Sequence, residues 1–148
     1  MVKAARGLFV ALGLMLVEPL AALADCTPRA GADLSACDYS RQNLAGKDLL
    51  GARLVGAKLE NTNLRQADLS GADFTGAAAE NADFSGAKLH GTRLGGATLR
   101  YADFSRADLQ GAFFGHADLW NASFDKSTNR PASLIEALAD IFTGSAKP

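Results

Sequence analysis

The sequence is poor in several things at once. Aromatic residues are 7% and charged residues 21% of its 148 residues, with four prolines, two cysteines and two histidines. So few bulky side chains exclude a conventional core of packed helices. Lysine and arginine nearly balance the acids, for a formal net charge of −1. That balance excludes a basic footprint for nucleic acid and a strongly acidic surface alike. His90 and His116 have no cysteine or carboxylate cluster spaced to complete a metal site. Neither a G-x-S-x-G elbow nor a P-loop occurs. The expectation is a non-enzyme with no cofactor, no metal and no catalytic residue. Abundant leucine argues equally against disorder.

Long apolar runs are also scarce. The one present is LFVALGLMLV, Leu8 to Val17, preceded by Lys3 and Arg6 and followed by Glu18, Pro19 and Ala22-Leu23-Ala24. A charged start, a short apolar stretch and a small-x-small site describe a secretory signal peptide over 1–24, cleaved after Ala24. A run this short covers about half of a ~30 Å hydrocarbon layer, so no membrane span is expected after removal of the signal. The expected location is the bacterial periplasm or the exterior. Both cysteines, Cys26 and Cys37, fall beyond that cleavage point. An even count in an oxidising compartment favours a disulfide, which ties the tail 25–31 onto the start of the next segment. Lipidation of Cys26 is the alternative, because Leu23-Ala24-Asp25-Cys26 loosely resembles a lipobox. Asp25 stands where that motif wants a small residue. Two free thiols are the third reading.

What is present in abundance is a period of five. A large apolar residue recurs from Leu34 through Tyr39, Leu44 and Leu49 to Leu119 and Phe124, nineteen units without an insertion. Two residues earlier stands a second series, mostly alanine, and the residue between is often Asp or Asn. Two residues after the centre, Gly or Asn is frequent. Five residues turn an α-helix by a net 140°, so the leucines would spiral around it. In a strand an odd period sends them to alternating faces. The chain must instead turn a corner once per repeat, with Ala and Leu pointing inward and the polar residues at the corner.

Segments such as Ala67-Asp68-Leu69-Ser70-Gly71, Ala72-Asp73-Phe74-Thr75-Gly76 and Ala107-Asp108-Leu109-Gln110-Gly111 carry this unit. The pattern, over 32–126, resembles the pentapeptide-repeat family and its A(D/N)LXX unit. The resemblance implies an all-β solenoid, a right-handed quadrilateral β-helix with four repeats per coil. Residues 20 apart then stack. One column reads Asp33, Arg53, Asp73, Arg93, Phe113; another Glu60, Glu80, Arg100, Trp120; a third Asn43, Asn63, Asp83, Asp103, Ser123; a fourth Asp48, Asp68, Lys88, Asp108. Arg100 beneath Trp120 is positioned for a cation–π contact.

Where the repeat deviates, the reading follows volume and solvent. Ala79 replaces a large central residue, and Phe74 and Phe84 beside it supply the missing volume. Cys37, Gln42 and Lys47 stand where alanine belongs, so the first coil reads as a loose, partly solvated end. Beyond Ser127, Leu134, Ile135, Leu138, Ile141 and Phe142 form one apolar face of a helix over 131–143, closed by Gly144. That helix is expected to cap the solenoid; homodimerisation through it is the alternative. The outward aromatics Tyr101, Phe113 and Trp120, with Arg100, are the candidate partner surface.

The function expected is a non-catalytic exported protein, binding an unknown protein partner in the cell envelope or serving there as a structural module. An envelope lipoprotein anchored through Cys26 is one alternative. A DNA-mimicking topoisomerase binder, a role the family resemblance brings with it, is another. It needs dense negative charge, whereas Lys88 interrupts the most acidic column and no nucleic acid partner is expected.

Overall fold

Every fifth residue of the repeat adopts a left-handed conformation. The series runs through Gly31 (φ 65°), Ala36 (φ 55°), Arg41 (φ 61°) and Gly46 (φ 65°) to Asn121 (φ 59°) and Lys126 (φ 54°). Each lies at the third position of a turn closed by the next alanine-series N–H, as in Ala77 N to Phe74 O at 2.9 Å. Positive φ at that position is what a type II turn requires. Gly and Asn recur there because they reach this conformation at least steric cost.

The computed structural model describes residues 25–143. The signal peptide over 1–24, its cleavage after Ala24 and the closing Gly144 lie outside the described residues. Within them the chain forms parallel β-bridges always 20 residues apart: Asp33–Arg53–Asp73–Arg93–Phe113 on one side, Asp38–Lys58–Ala78–Thr98–Asp118 on the next. The third and fourth sides carry Asn43–Asn63–Asp83–Asp103–Ser123 and Asp48–Asp68–Lys88–Asp108–Thr128. Four pentapeptides therefore make one coil of a four-sided β-solenoid. The ladder ends at Thr128, whose carbonyl accepts from Leu109 N at 3.1 Å. It thus runs two residues past the repeat boundary expected at 126.

One repeat shows why each residue type is needed. Asp73 N bonds Ala52 O of the preceding coil at 2.9 Å; Phe74 N and Gly76 N bond Arg93 O and Gly95 O of the following one, at 2.7 and 3.0 Å. Ala77 N closes the corner. The remaining Thr75 N–H donates to Asp73 Oδ1 at 3.0 Å. All five N–H groups are satisfied, one of them by the Asp side chain. The same side-chain contact recurs from Asp33 to Asp118.

Inside, the leucine column and the alanine column are fully buried along most of the solenoid. Thr62 and Thr92 take alanine positions, and their hydroxyls donate to Tyr39 O and Leu69 O, both at 2.8 Å. Phe74 and Phe84 meet edge to face at 5.9 Å between centroids, on either side of the buried Ala79. Phe84, Phe104 and Phe124 stack through successive coils at 4.7 and 5.0 Å. The volume Ala79 gives up is thus occupied by rings from both flanks.

The first coil is less loose than the sequence suggests. Gln42 and Lys47 are exposed, as expected. Cys37, however, is buried, with its Cα 5.8 Å from that of Cys26 and the sulfurs at bonding distance. Tyr39 is 2% exposed, and its hydroxyl donates to Cys26 O at 2.8 Å. The tail is fastened to the second side of this coil, and the polar substitutions mark the third and fourth. At the opposite end, helix α1 spans Ala132–Thr143 and places Leu134 and Ala137 in the core, with Leu138 and Ile141 packed against it. Ile135, expected on the same face, points away and is 64% exposed. One residue is 100° of turn on a helix, enough to carry it off the contact stripe.

Phe84→Ala is expected to cost about 3–5 kcal/mol and Ala79→Leu about 1–3 kcal/mol in urea denaturation, one emptying and the other overfilling the same layer. Burial, with Asp25 adding to it, pushes the Tyr39 phenol up to about 12. Its folded-state value exceeds the ordinary 10.0, so its contribution to stability is complete below pH 10 and is lost as pH rises towards 12. Alkaline unfolding monitored by circular dichroism should shift with Tyr39→Phe.

Candidate interaction surface

The corners differ in what they present. Between the first and second sides lie Val55, Thr75, Gly95 and Gly115 with Gly56, Gly76 and Gly96, and between the fourth and first lie Gly51, Gly71, Gly91 and Gly111. Both are slim. The corner between the second and third sides carries Glu60, Glu80, Arg100 and Trp120 over Asn61, Asn81 and Tyr101. The two half-exposed aromatics Tyr101 and Trp120 therefore stand together on this edge of the prism.

Tyr101 and Trp120 share that edge in adjacent coils, with Tyr101 N bonded to Trp120 O at 2.9 Å. Each is 53% exposed, so neither is covered by α1. Tyr101 holds the left-handed corner position, φ 58°. Arg100 belongs to the same edge, but its Nε bonds Asp118 Oδ2. That carboxylate, and not the Trp120 ring, is the partner the structure gives the guanidinium. Asp118 also accepts from Trp120 N at 3.2 Å, so one side chain ties Arg100 and Trp120 together.

Phe113, the third expected member, stands elsewhere. It ends the column of the first side and is 51% exposed. Its ring lies over Gly95 and Gly115: a Cβ on Gly115 would overlap Phe113 Cζ, and one on Gly95 would meet Cε1 at 3.2 Å. Neither glycine has positive φ, so their lack of a side chain serves the ring and not the turn. The candidate surface therefore divides into the Tyr101–Arg100–Trp120 edge and a separate Phe113 site.

Two features are not visible in the sequence pattern. His90 meets Asp108 with Nε2 2.8 Å from Oδ2. Asn129 Nδ2 donates to the other Asp108 oxygen at 2.8 Å. Those two side-chain bonds, Asn129 first, hold the Asp108 carboxyl below its ordinary value. A groove of about 350 Å³ also opens at the corner between the third and fourth sides, where Arg65, Ser85, Asp103, Ser105, Arg106 and Asp125 line it. Arg65 is held there by Asp83 at 3.2 Å. The spacing of 18 residues that brings His90 to Asp108, Arg65 to Asp83 and Arg100 to Asp118 is legible only once the coil length is known. Among the described residues no cluster of His, Cys, Asp and Glu is arranged to hold a metal ion. No described helix is long and apolar enough to cross a membrane.

The family model for pentapeptide repeats matches residues 32–71, 62–100 and 102–128, in eight copies. The chain belongs to the pentapeptide-repeat family. Proteins of this family are generally structural or interaction modules. Among solved structures, this pentapeptide-repeat chain is similar to the pentapeptide repeat protein Rfr23 of the cyanobacterium Cyanothece 51142. That match has 31% identity and a TM-score of 0.60, over 61% of this chain and 62% of that one. It is also similar to QnrB1, a plasmid-mediated fluoroquinolone resistance protein, at 20% identity and a TM-score of 0.55, over 72% and 63% of the two chains. The second likeness shows the fold alone. The aligned part thus spans under two thirds of either structure. No curated protein matches the chain.

Gly115→Ala is expected to lift the Phe113 ring from its seat at a stability cost of about 1 kcal/mol or less, because the ring is free to swing into solvent. A crystal structure of the variant checks the displacement, and its melting curve the cost.

Proposed function

We propose that this pentapeptide-repeat protein is a non-catalytic, exported interaction module of the bacterial cell envelope, recognising its protein partner through the Tyr101–Arg100–Trp120 edge. The observation carrying this reading is that two large aromatics stand half exposed in adjacent coils of a scaffold with no interior place for them. Aromatic and arginine side chains in such a cluster favour protein contact. Asp118 restrains Arg100 and the Trp120 backbone before binding, which lowers the ordering cost.

Export rests on the signal-like segment over 1–24 and on the pairing of Cys26 with Cys37, a bond suited to an oxidising compartment. Lipidation of Cys26 competes for the same sulfur. The finer architecture proposed is nineteen repeats in a right-handed solenoid whose end is capped by α1, with Leu134 and Ala137 as its anchors. A DNA-mimicking role fits less well. The fourth side carries Lys88 between Asp68 and Asp108, with Nζ 3.7 Å from Asp68 Oδ2, and such neutralised pairs do not imitate a phosphate ladder.

Intact mass of the protein made in its native host tests location and bonding together. A chain starting at Asp25 and lighter by two hydrogens than the reduced form is expected. An acylated chain starting at Cys26 would establish the lipoprotein, and an uncleaved, reduced chain would reject export. Tyr101→Ala with Trp120→Ala should abolish envelope cross-links seen with the wild type while leaving the melting temperature within a few degrees; unchanged cross-links would remove this edge from the function.

A further inference from the structure

The four sides of the solenoid finish differently at the α1 end. On the first side Ser133 Oγ accepts from Phe114 N and donates to Ala112 O, both at 3.3 Å, and so stands in for a further rung. The fourth side carries one rung more, Thr128, before the chain leaves for α1. The second and third sides have neither. Among the described residues nothing accepts from Leu119 N, Asn121 N or Phe124 N, and nothing donates to Ala117 O or Ala122 O. One coil earlier the matching donors of the third side are bonded, Tyr101 N to Trp120 O at 2.9 Å and Phe104 N to Ser123 O at 2.8 Å.

Burial separates the two open sides. The small inward residues of the last coil are 2% exposed at Ala112 and 8% at Ala117, but Ala122 is half-buried. The large ones rise from 1% at Leu119 to 9% at Phe124. Cover over the last coil thus thins towards the third side. The other end of the molecule also has unpaired donors, Asn43 N and Asp48 N among the described residues. There, however, exposed Gln42 and Lys47 replace the alanines, and a lysine at a sheet edge repels a pairing strand. At the finish Ala122-Ser123-Phe124 keeps the repeat and carries no such guard. Helix α1 decides what fits beside it. With Leu134 and Ala137 in the core and Leu138 and Ile141 packed against it, the helix lies across the end. A helix is about 10 Å thick, or two rungs of about 4.8 Å, so a second solenoid stacked flush would collide with it. A single extended segment on the third-side margin needs only one rung.

We propose that the edge at Ala122–Phe124 takes an extended segment of the partner protein by parallel strand addition, a mode in which main-chain hydrogen bonds give the affinity. This rests on the reading that a partner binds beside Trp120, which stands at the entrance to the edge. The register follows from the ladder. Asn121 N and Phe124 N donate to two carbonyls of the segment three residues apart, as Tyr101 N and Phe104 N do to Trp120 O and Ser123 O. Ala122 O accepts the N–H of the residue opposite Ser123, as Ala102 O accepts Ser123 N at 2.9 Å. The residues flanking that one point inward, a small one over Ala122 and an apolar one over Phe124. Beyond Phe124 the Arg130 guanidinium crosses to Phe124 O and Ser127 Oγ, and the pairing ends there. Three main-chain bonds make a weak contact alone, and the Trp120 corner adds to it.

Amide-resolved hydrogen exchange on the protein from its native host is the first test. Asn121 and Phe124 should exchange about a hundredfold faster or more than Tyr101 and Phe104, their bonded counterparts. Slow exchange there in the free protein means that the chain itself or a second copy fills the edge, and overturns the proposal. The probe is a blocked peptide copying 120–126, Trp-Asn-Ala-Ser-Phe-Asp-Lys. It should slow exchange at Asn121 and Phe124 saturably. With Ser123→Pro in the peptide, which removes the N–H offered to Ala122 O, binding should fall about tenfold or more. Ala122→Lys in the protein copies the arrangement at Lys47 and should weaken the peptide about as much, with a melting temperature near the wild type. No slowing by the peptide, or equal slowing by its proline form, overturns the proposal. Envelope cross-links separate it from the reading it rests on. Links lost with Tyr101→Ala and Trp120→Ala but kept in Ala122→Lys retain the aromatic corner and overturn strand addition. Links kept in the first pair and lost in Ala122→Lys support strand addition and remove the corner.

Discussion

Everything in this molecule depends on satisfying five backbone N–H groups per pentapeptide without a helix or a long strand. Three go to neighbouring coils, one closes the corner, and one is taken by the Asp or Asn side chain. That division dictates the composition. The corner must be left-handed, so Gly and Asn accumulate there. The interior leaves room for one large and one small apolar column, so Leu or Phe alternates with Ala. Charge belongs to whatever remains, the outward residue of each bridge and the corner tips. A balanced, aromatic-poor composition is therefore a consequence of the backbone arrangement.

Solenoids of this kind have two exposed ends, and each is treated differently. At the start, the tail bearing Cys26 is fastened to the second side of the first coil, and exposed Gln42 and Lys47 stand on the third and fourth. A lysine at an open sheet edge discourages pairing with another chain. At the finish, α1 sets Leu134 and Ala137 into the core. Arg130 donates to Phe124 O and Ser127 Oγ, so the connection to the helix is itself fastened.

The four sides have separate characters. The second–third edge gathers Arg100, Tyr101 and Trp120, the fourth side balances aspartates with Lys88, and the first is narrow and alternating. Pairs along the sides, such as Lys88 with Asp68 or Arg65 with Asp83, are substantially exposed and contribute little to stability. Their placement matters for what the surface rejects and accepts. A fold with so little freedom in its interior carries its specificity almost entirely in these columns.

The repeat, its corner and the buried columns were legible in the sequence because a five-residue period is incompatible with helix and strand and leaves a turning chain as the solution. The compensation of Ala79 by Phe74 and Phe84 was legible for the same reason, since the repeat placed all three in one layer. The helix near the end was legible from its apolar spacing, though not that Ile135 would face solvent. What the tertiary structure alone decided were the contacts between coils. The pairing of His90 with Asp108, the engagement of Arg100 by Asp118 and not Trp120, and the seating of Phe113 on Gly95 and Gly115 all join residues 18 to 20 apart or reach round a corner. Local sequence determines how each pentapeptide turns, because those forces act within five residues. Which side chain of one coil meets which of the next depends on the rotation accumulated over four corners, and that exists only in the folded solenoid.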